Sequence, residues 1–170
     1  MKNKNHIEKG GFRYLSCGEG DPIIILHGLM GGLGNFEGFI SHFPKIGYKI
    51  FMPELPIYTA SLINTNVKFF AKFINSFIRF LKLDKVILVG NSLGGHVALL
   101  HGKIFPNFTK ALVLTGSSGL YENTMGDTYP KRGDYNFIQK KTQDVFYSPK
   151  VATKQIVDEV FESVNNRKKV

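Results

Sequence analysis

Gly90-Asn91-Ser92-Leu93-Gly94 follows the pattern G-x-S-x-G, and its surroundings match what the chemistry of that pattern requires. The run Val86-Ile87-Leu88-Val89 ahead of it predicts a buried strand. The residues from Ser92 to about Phe105 predict a helix that stops at Pro106. A serine on such a sharp turn takes a strained backbone conformation that stands its hydroxyl clear of the sheet. Glycines two residues to either side let strand and helix approach without Cβ clashes. The helix N-terminus offers N–H groups and positive dipole character, both favourable to a developing oxyanion. Ser92 is therefore the candidate nucleophile and the N–H of Leu93 the first candidate oxyanion donor. Asn91 is a candidate for pocket or loop support, and Gly95 extends the glycine pattern. The competing reading is a plain strand–helix turn on which Ser92 caps the helix.

A second glycine-rich segment, His27-Gly28-Leu29-Met30-Gly31-Gly32, follows the apolar run Ile23-Ile24-Ile25-Leu26. Its backbone can fold close to the serine and present another N–H, that of Leu29, to the same oxyanion. His27 and Gly28 would brace this loop. A phosphate-cradling loop or a simple βα turn are the alternatives. No lysine completes a G-x-x-x-x-G-K-[ST] arrangement, and the G-x-G-x-x-G spacing is absent as well.

These segments need a scaffold. Residues 12–16 predict a short strand, closed by the turn signal Gly18-Glu19-Gly20-Asp21-Pro22. The β-branched run at 23–26 suits a strand buried on both faces of a parallel sheet. A short helical stretch is expected around 35–43 and a strand at 48–52, stopped by Pro53 and Pro56. Thr65 or Asn66 can cap the next helix. There Val67, Phe70, Ile74, Phe77, Ile78 and Leu81 recur at three- and four-residue steps along one face. Ala111-Leu112-Val113-Leu114 predicts the last strand. Residues 117–133 are turn-rich, and 135–147 and 150–165 read as helices. In the second of these, Ile156, Val157, Val160, Phe161 and Val164 share a side. Short strands alternating with helices predict βαβ units in a mostly parallel sheet covered on both faces.

The segments PIIILHGLMGG, YKIFMPELP, DKVILVGNSLGGHVAL and ALVLTGSSG, in this order, resemble the α/β-hydrolase fold superfamily. The similarity is to its branch of esterases, lipases and C–C hydrolases with a helical cap. It spans essentially the whole chain and is most specific from Pro22 to Gly119. The resemblance implies an α/β, three-layer sandwich with a mostly parallel sheet. Residues 1–119 would form the N-terminal part of the core and 120–170 the start of the cap. It implies Ser92 as nucleophile and Leu29 and Leu93 as oxyanion donors; His27, Gly28, Asn91 and Ser117 are read beside them as expected loop or pocket residues. Ser117 and Ser118 read equally well as plain turn residues. The implied reaction is hydrolysis of an ester or related acyl substrate, small or medium in size and hydrophobic, without metal or organic cofactor. Dehalogenase- and epoxide hydrolase-like branches carry aspartate where this chain has Ser92, which disfavours those activities.

Serine needs a histidine to take its proton and an acid to orient that histidine. In the family order the acid and then the histidine follow the serine. Of His6, His27, His42, His96 and His101, only His96 and His101 follow Ser92, and both fall on the helix that Ser92 opens. His96 reads as a packing or hydrogen-bonding residue near the turn, and His101 as a helix-surface or core residue. Asp127, Asp134, Asp144 and Asp158 follow no buried strand and read as surface charges. The expectation is a C-terminally truncated chain in which the final strands, with acid and histidine, are absent. Its last strand would then present an unpaired edge and uncovered apolar surface. A non-catalytic binding protein of the same fold, or an inactive fragment, is the alternative.

Composition fits this frame. A chain of 170 residues, 43% hydrophobic and 21% charged, reads as one globular domain able to bury a sizeable core. The net charge of +9 could mark a nucleic-acid or membrane-surface partner. The lysines are scattered, however, with dense tracts only at Lys2/Lys4 and Arg167-Lys168-Lys169, so solvated charge is the expectation and no nucleic-acid partner is assigned. The lone Cys17 permits no intramolecular disulfide, and the polar N-terminus lacks a secretory apolar segment. No apolar run approaches the ~20 residues that span a bilayer. A cytoplasmic location is expected, and the oligomeric state is not legible.

Overall fold

The computed structural model describes residues 5–29, 36–57, 66–120, 131 and 133–165. The chain divides into two compact units, Met1–Glu122 and Asn123–Val170.

The first unit is built on a six-stranded mixed sheet. In chain order its elements are β1 (Asn5–Lys9), β2 (Phe12–Cys17), β3 (Asp21–Leu26), α1 (Glu37–His42), β4 (Tyr48–Pro53), α2 (Val67–Phe80), β5 (Val86–Asn91), α3 (Leu93–Ile104) and β6 (Thr109–Thr115). The strands lie in the order β1-β2-β4-β3-β5-β6. The three pairings β4–β3, β3–β5 and β5–β6 are parallel, while β1–β2 and β2–β4 are antiparallel. Strand β1 escaped the sequence reading because it is a polar edge strand. Its signal was the dipeptide Gly10-Gly11, whose positive φ values of 62° and 79° make the two-residue turn between Lys9 and Phe12.

The strand period of two sorts side chains into two cores. Tyr14, Ile24, Leu26, Phe51, Val86 and Leu88 face one side, where they meet Phe70, Ile74, Phe77 and Ile78 of α2 and Val97 and Ala98 of α3. Leu15, Ile23, Ile25, Ile50, Met52 and Val89 face the other, against Phe36 and Ile40 at α1. Ile24 and Ile25 are both fully buried, which is why the run needs no polar alternation. Each such side chain contributes about 1.5–3 kcal/mol by leaving water. Phe77 anchors an aromatic cluster, with ring centroids 5.2 Å from Phe12 and 5.0 Å from Tyr14.

Helix α2 begins at its cap as expected: the Asn66 side chain accepts a hydrogen bond from the Phe69 N–H at 2.9 Å. Thr65, the other candidate, lies outside the described residues. The helix ends with the Leu83 N–H bonded to the Ile78 carbonyl and the Lys82 N–H to that of Arg79. This closure puts Lys82 at φ 55°, a position glycine normally fills. At the far side, among the described residues β6 pairs only with β5, and Leu112 and Val113 on its opposite faces are 37% and 41% exposed. Among those residues, β6 therefore has the partly uncovered apolar edge expected of the last strand.

The second unit contains α4 (Tyr135–Asp144) and α5 (Lys154–Asn165). Both are shorter than the sequence reading. Asp134 caps α4 through the Phe137 N–H at 3.1 Å. A 3-10 turn at Pro149–Val151 delays α5, which starts where the Thr153 hydroxyl accepts from the Ile156 N–H at 3.4 Å. Ile138 and Val157 are fully buried, and Asp158 receives the Tyr135 hydroxyl at 2.5 Å and the Lys154 ammonium at 2.7 Å.

Two stability outcomes follow. Lys82→Gly is expected to raise stability by about 0.5–1 kcal/mol, because only glycine adopts positive φ without steric cost; a shift in urea midpoint measures it. His101 is fully buried, and desolvation holds its pKa at about 4 against the ordinary 6.5. Between those values the unfolded chain binds a proton that the folded chain does not. Stability should therefore fall as pH drops from 6.5 towards 4, and His101→Leu should flatten that slope in pH-dependent urea melts.

Candidate active site

Chain connectivity creates the position before any side chain is considered. From β3 the chain crosses by α1 to β4 on one side, whereas β5, the other neighbour of β3, continues by α3 to β6 on the opposite side. The helices fall on opposite faces, so the chain diverges at the C-terminal ends of β3 and β5. In open α/β sheets such a switch point leaves a crevice for ligands. The register aligns Leu26 with Gly90, which sets the His27–Gly28 turn beside Asn91 and Ser92.

Ser92 lies between β5 and α3 with φ 52° and ψ −119°, and it is exposed. Besides Lys82, it is the only non-glycine residue with positive φ among the described residues. Such a conformation costs on the order of 1–3 kcal/mol and persists only where its surroundings impose it. The glycines show how. A Cβ on Gly90 would strike the Gly94 carbonyl and the Gly95 backbone, and a Cβ on Gly94 would strike the carbonyls of Leu26 and His27. On Gly95 it would come within 2.5 Å of the Ser117 hydroxyl. The first turn of α3 thus rests directly on the ends of β3 and β5.

The turn after β3 flanks the serine. Gly28 is buried, and a Cβ there would lie 3.2 Å from that of Ser92. The Leu55 N–H donates to His27 Nε2 at 3.0 Å, so Nδ1 carries the ring proton and donates to the Gly28 carbonyl at 2.9 Å. His27 therefore ties this turn to the segment following β4. Leu29 is described and 49% exposed, while Met30, Gly31 and Gly32 lie outside the described residues.

On the other flank, the Asn91 amide donates to the Thr115 carbonyl at 2.9 Å and to the Thr115 hydroxyl at 3.2 Å. Ser117 Oγ donates to the Ser118 carbonyl at 2.8 Å, and the Ser118 N–H donates to the Ser92 carbonyl at 3.2 Å. Thr115 was not singled out from sequence. Its role depends on the β5–β6 register that sets it opposite Asn91.

The histidines are placed elsewhere. His96 is half-buried and its ring packs at Gly119, where a Cβ would sit 2.6 Å from the ring. His101 is a core residue bonded to the Thr109 hydroxyl at 3.1 Å. His42 packs edge-on to Phe43, and His6 lies on β1. Among the described residues no hydrogen bond joins the Ser92 hydroxyl to a histidine. Asp134 and Asp158 are engaged within the second unit, and Asp127 lies outside the described residues. No group of three His, Cys, Asp or Glu side chains among the described residues could hold a metal ion, and none of the described helices is long and apolar enough to cross a membrane.

Comparison with known proteins agrees with this fold. A family model for the alpha/beta hydrolase fold matches residues 21–156, and the chain belongs to that family. It is 32% identical over 130 residues to a 2-hydroxy-6-oxononadienedioate/2-hydroxy-6-oxononatrienedioate hydrolase of Comamonas testosteroni, covering 69% of this chain and 43% of that protein. A solved alpha/beta hydrolase enzyme from the metagenome of sediments of the Mar Chica lagoon, Morocco, is 45% identical. It superposes with a TM-score of 0.73 over 97% of this chain and 60% of its own. An esterase from Exiguobacterium antarcticum is 25% identical with a TM-score of 0.60, covering 80% of this chain and 54% of its own. The chain thus spans roughly half the length of the relatives it matches.

The glycine contacts predict a sharp contrast. Gly94→Ala should destabilise the protein by more than about 2 kcal/mol, because the methyl meets rigid backbone. Gly38→Ala on α1 meets nothing within 4 Å and should be neutral or stabilising. Chemical denaturation of both variants checks the pair.

Proposed function

We propose that the protein is a serine hydrolase of the acyl-transfer type, with Ser92 as nucleophile. Ser92 Oγ attacks the carbonyl carbon of an ester or related acyl group and loses its proton to a base. The negative charge that develops on the carbonyl oxygen is held by the N–H groups of Leu29 and Leu93. Leu93, as the first residue of α3, has no intrahelical acceptor for its N–H. The leaving group departs with the proton, and water then cleaves the acyl-serine to release the acid. The base and its orienting carboxylate are assigned to the part of the relatives' length that this chain does not span.

The observation that carries this reading is the backbone of Ser92, at φ 52° with its side chain exposed beside Gly28. A serine that only capped a helix would sit in the extended region, with its hydroxyl accepting from the second or third helical N–H. Ser92 makes no such side-chain cap bond. His27, Gly28, Asn91 and Ser117 support the loops around it. In this reading α4 and α5 begin a cap that favours a small or medium hydrophobic substrate. The similarity to a dienedioate hydrolase and to an esterase makes C–C and ester bonds the two bond classes to test.

A second reading is a non-catalytic binding protein that keeps the crevice without a triad. The lack of a histidine bonded to Ser92 among the described residues favours it. One experiment separates the two. In the full-length protein, Ser92→Ala should lower hydrolysis of short-chain p-nitrophenyl esters by on the order of 10³-fold or more. It should also abolish labelling by a fluorophosphonate probe at the Ser92 peptide. Labelling that survives the substitution overturns the nucleophile assignment, and an unlabelled wild-type protein favours the binding reading.

A further inference from the structure

The end of β6 and the turn that follows it hold both peptide groups flanking Ser92. On the N-terminal side, the Ser92 N–H donates to the Thr115 carbonyl at 3.2 Å. The same carbonyl receives the Asn91 amide at 2.9 Å, and the Thr115 hydroxyl reaches back to the Gly90 carbonyl at 3.4 Å. On the C-terminal side, the Ser92 carbonyl accepts the Ser118 N–H at 3.2 Å and the Ser118 hydroxyl at 3.4 Å, besides the Gly95 N–H at 3.0 Å. Gly116, at φ 53°, bends the chain so that Thr115 and Ser118 face the same residue. The Ser117 hydroxyl, bonded to the Ser118 carbonyl at 2.8 Å, stiffens the turn beneath Gly95.

The angles φ and ψ of a residue are rotations between its two neighbouring peptide planes. A device that grips both planes therefore fixes both angles. Helix α3 alone grips only the Ser92 carbonyl. The second grip, on the N–H, comes from a strand far along the chain. We infer that residues 115–118 clamp the strained nucleophile, with Asn91 and Ser118 as positioning residues that aim Ser92 Oγ without touching the substrate. The inference rests on the nucleophile reading above and assigns a cause to its geometry. Without the clamp, Ser92 relaxes towards negative φ and its hydroxyl swings off line. A displacement of about 1 Å costs up to ~10²-fold in rate.

The test uses Asn91→Ala, Ser118→Ala and the double variant in the full-length protein, with Ser118→Thr as the variant that keeps the hydroxyl. The rate of fluorophosphonate acylation, or kcat on an ester, should fall about 10-fold or more in the double variant, with KM within about twofold of wild type. Ser118→Thr should recover most of the loss caused by Ser118→Ala. Amide hydrogen exchange across residues 90–96 should accelerate about 10-fold in the double variant, while exchange in β3 and α2 stays unchanged. That measurement needs no catalysis. A wild-type protein unlabelled at Ser92 sinks the nucleophile reading, and exchange still decides whether the clamp exists. Unchanged exchange overturns the clamp. Faster exchange with an unchanged acylation rate overturns its role in positioning.

Discussion

The first turn of α3 packs against the ends of β3 and β5 at backbone-to-backbone distance, and most of the site's geometry follows from that contact. Gly90 and Gly94 are required because any Cβ there would occupy space held by carbonyl groups. Ser92, between them, must reverse the chain from strand to helix within one residue, and φ 52° is the consequence. The strain is local, but its support is not. It draws on the buried β3, on the register between β5 and β6, and on α3 held by Val97 and Ala98 in the core. Loosening any of these would let Ser92 relax from its strained conformation.

Two cores of different make-up serve this contact. The α2/α3 side is aromatic-rich around Phe77, and the α1 side is dominated by Leu15, Ile23, Ile25 and Ile50. Their shared element is β3, whose alternate residues feed both and which leads straight into His27 and Gly28. A strand buried on both faces is the stiffest platform the sheet offers, and the turn beside the serine stands on it. His27 extends the platform sideways by binding Leu55 after β4. Its Nε2 accepts the Leu55 N–H at 3.0 Å and its Nδ1 lies 2.9 Å from the Gly28 carbonyl.

The two sheet edges differ in kind. Strand β1 is short and polar, with His6, Glu8 and Lys9 exposed, which discourages pairing with other chains. Strand β6 exposes Leu112 and Val113 on opposite faces and carries the turn that grips Ser92. The second unit has its own small core around Ile138 and Val157, tied by the Tyr135–Asp158–Lys154 chain of hydrogen bonds.

Much of this was legible in the residues themselves. The runs at 23–26 and 86–89 announced buried strands, because β-branched stretches too short for helices fit little else. The G-x-S-x-G pattern located the strained serine, because glycine spacing reports where backbones must touch. Side-chain chemistry narrowed the cap of α2 to Thr65 or Asn66, and the structure has the cap bond at Asn66. Strand β1 was missed because a polar edge has no hydrophobic period, and α4 and α5 were drawn too long because the residues after Asp144 and the 3-10 turn at Pro149–Val151 were counted with the helices. What only the tertiary structure decided were contacts between segments distant in the chain: Gly28 against Ser92, Leu55 on His27, and Thr115 and Ser118 around the serine. Local sequence encodes periodicity, caps and close approach. It does not encode which carbonyl lies opposite which N–H, because strand register is set only when the two cores close together.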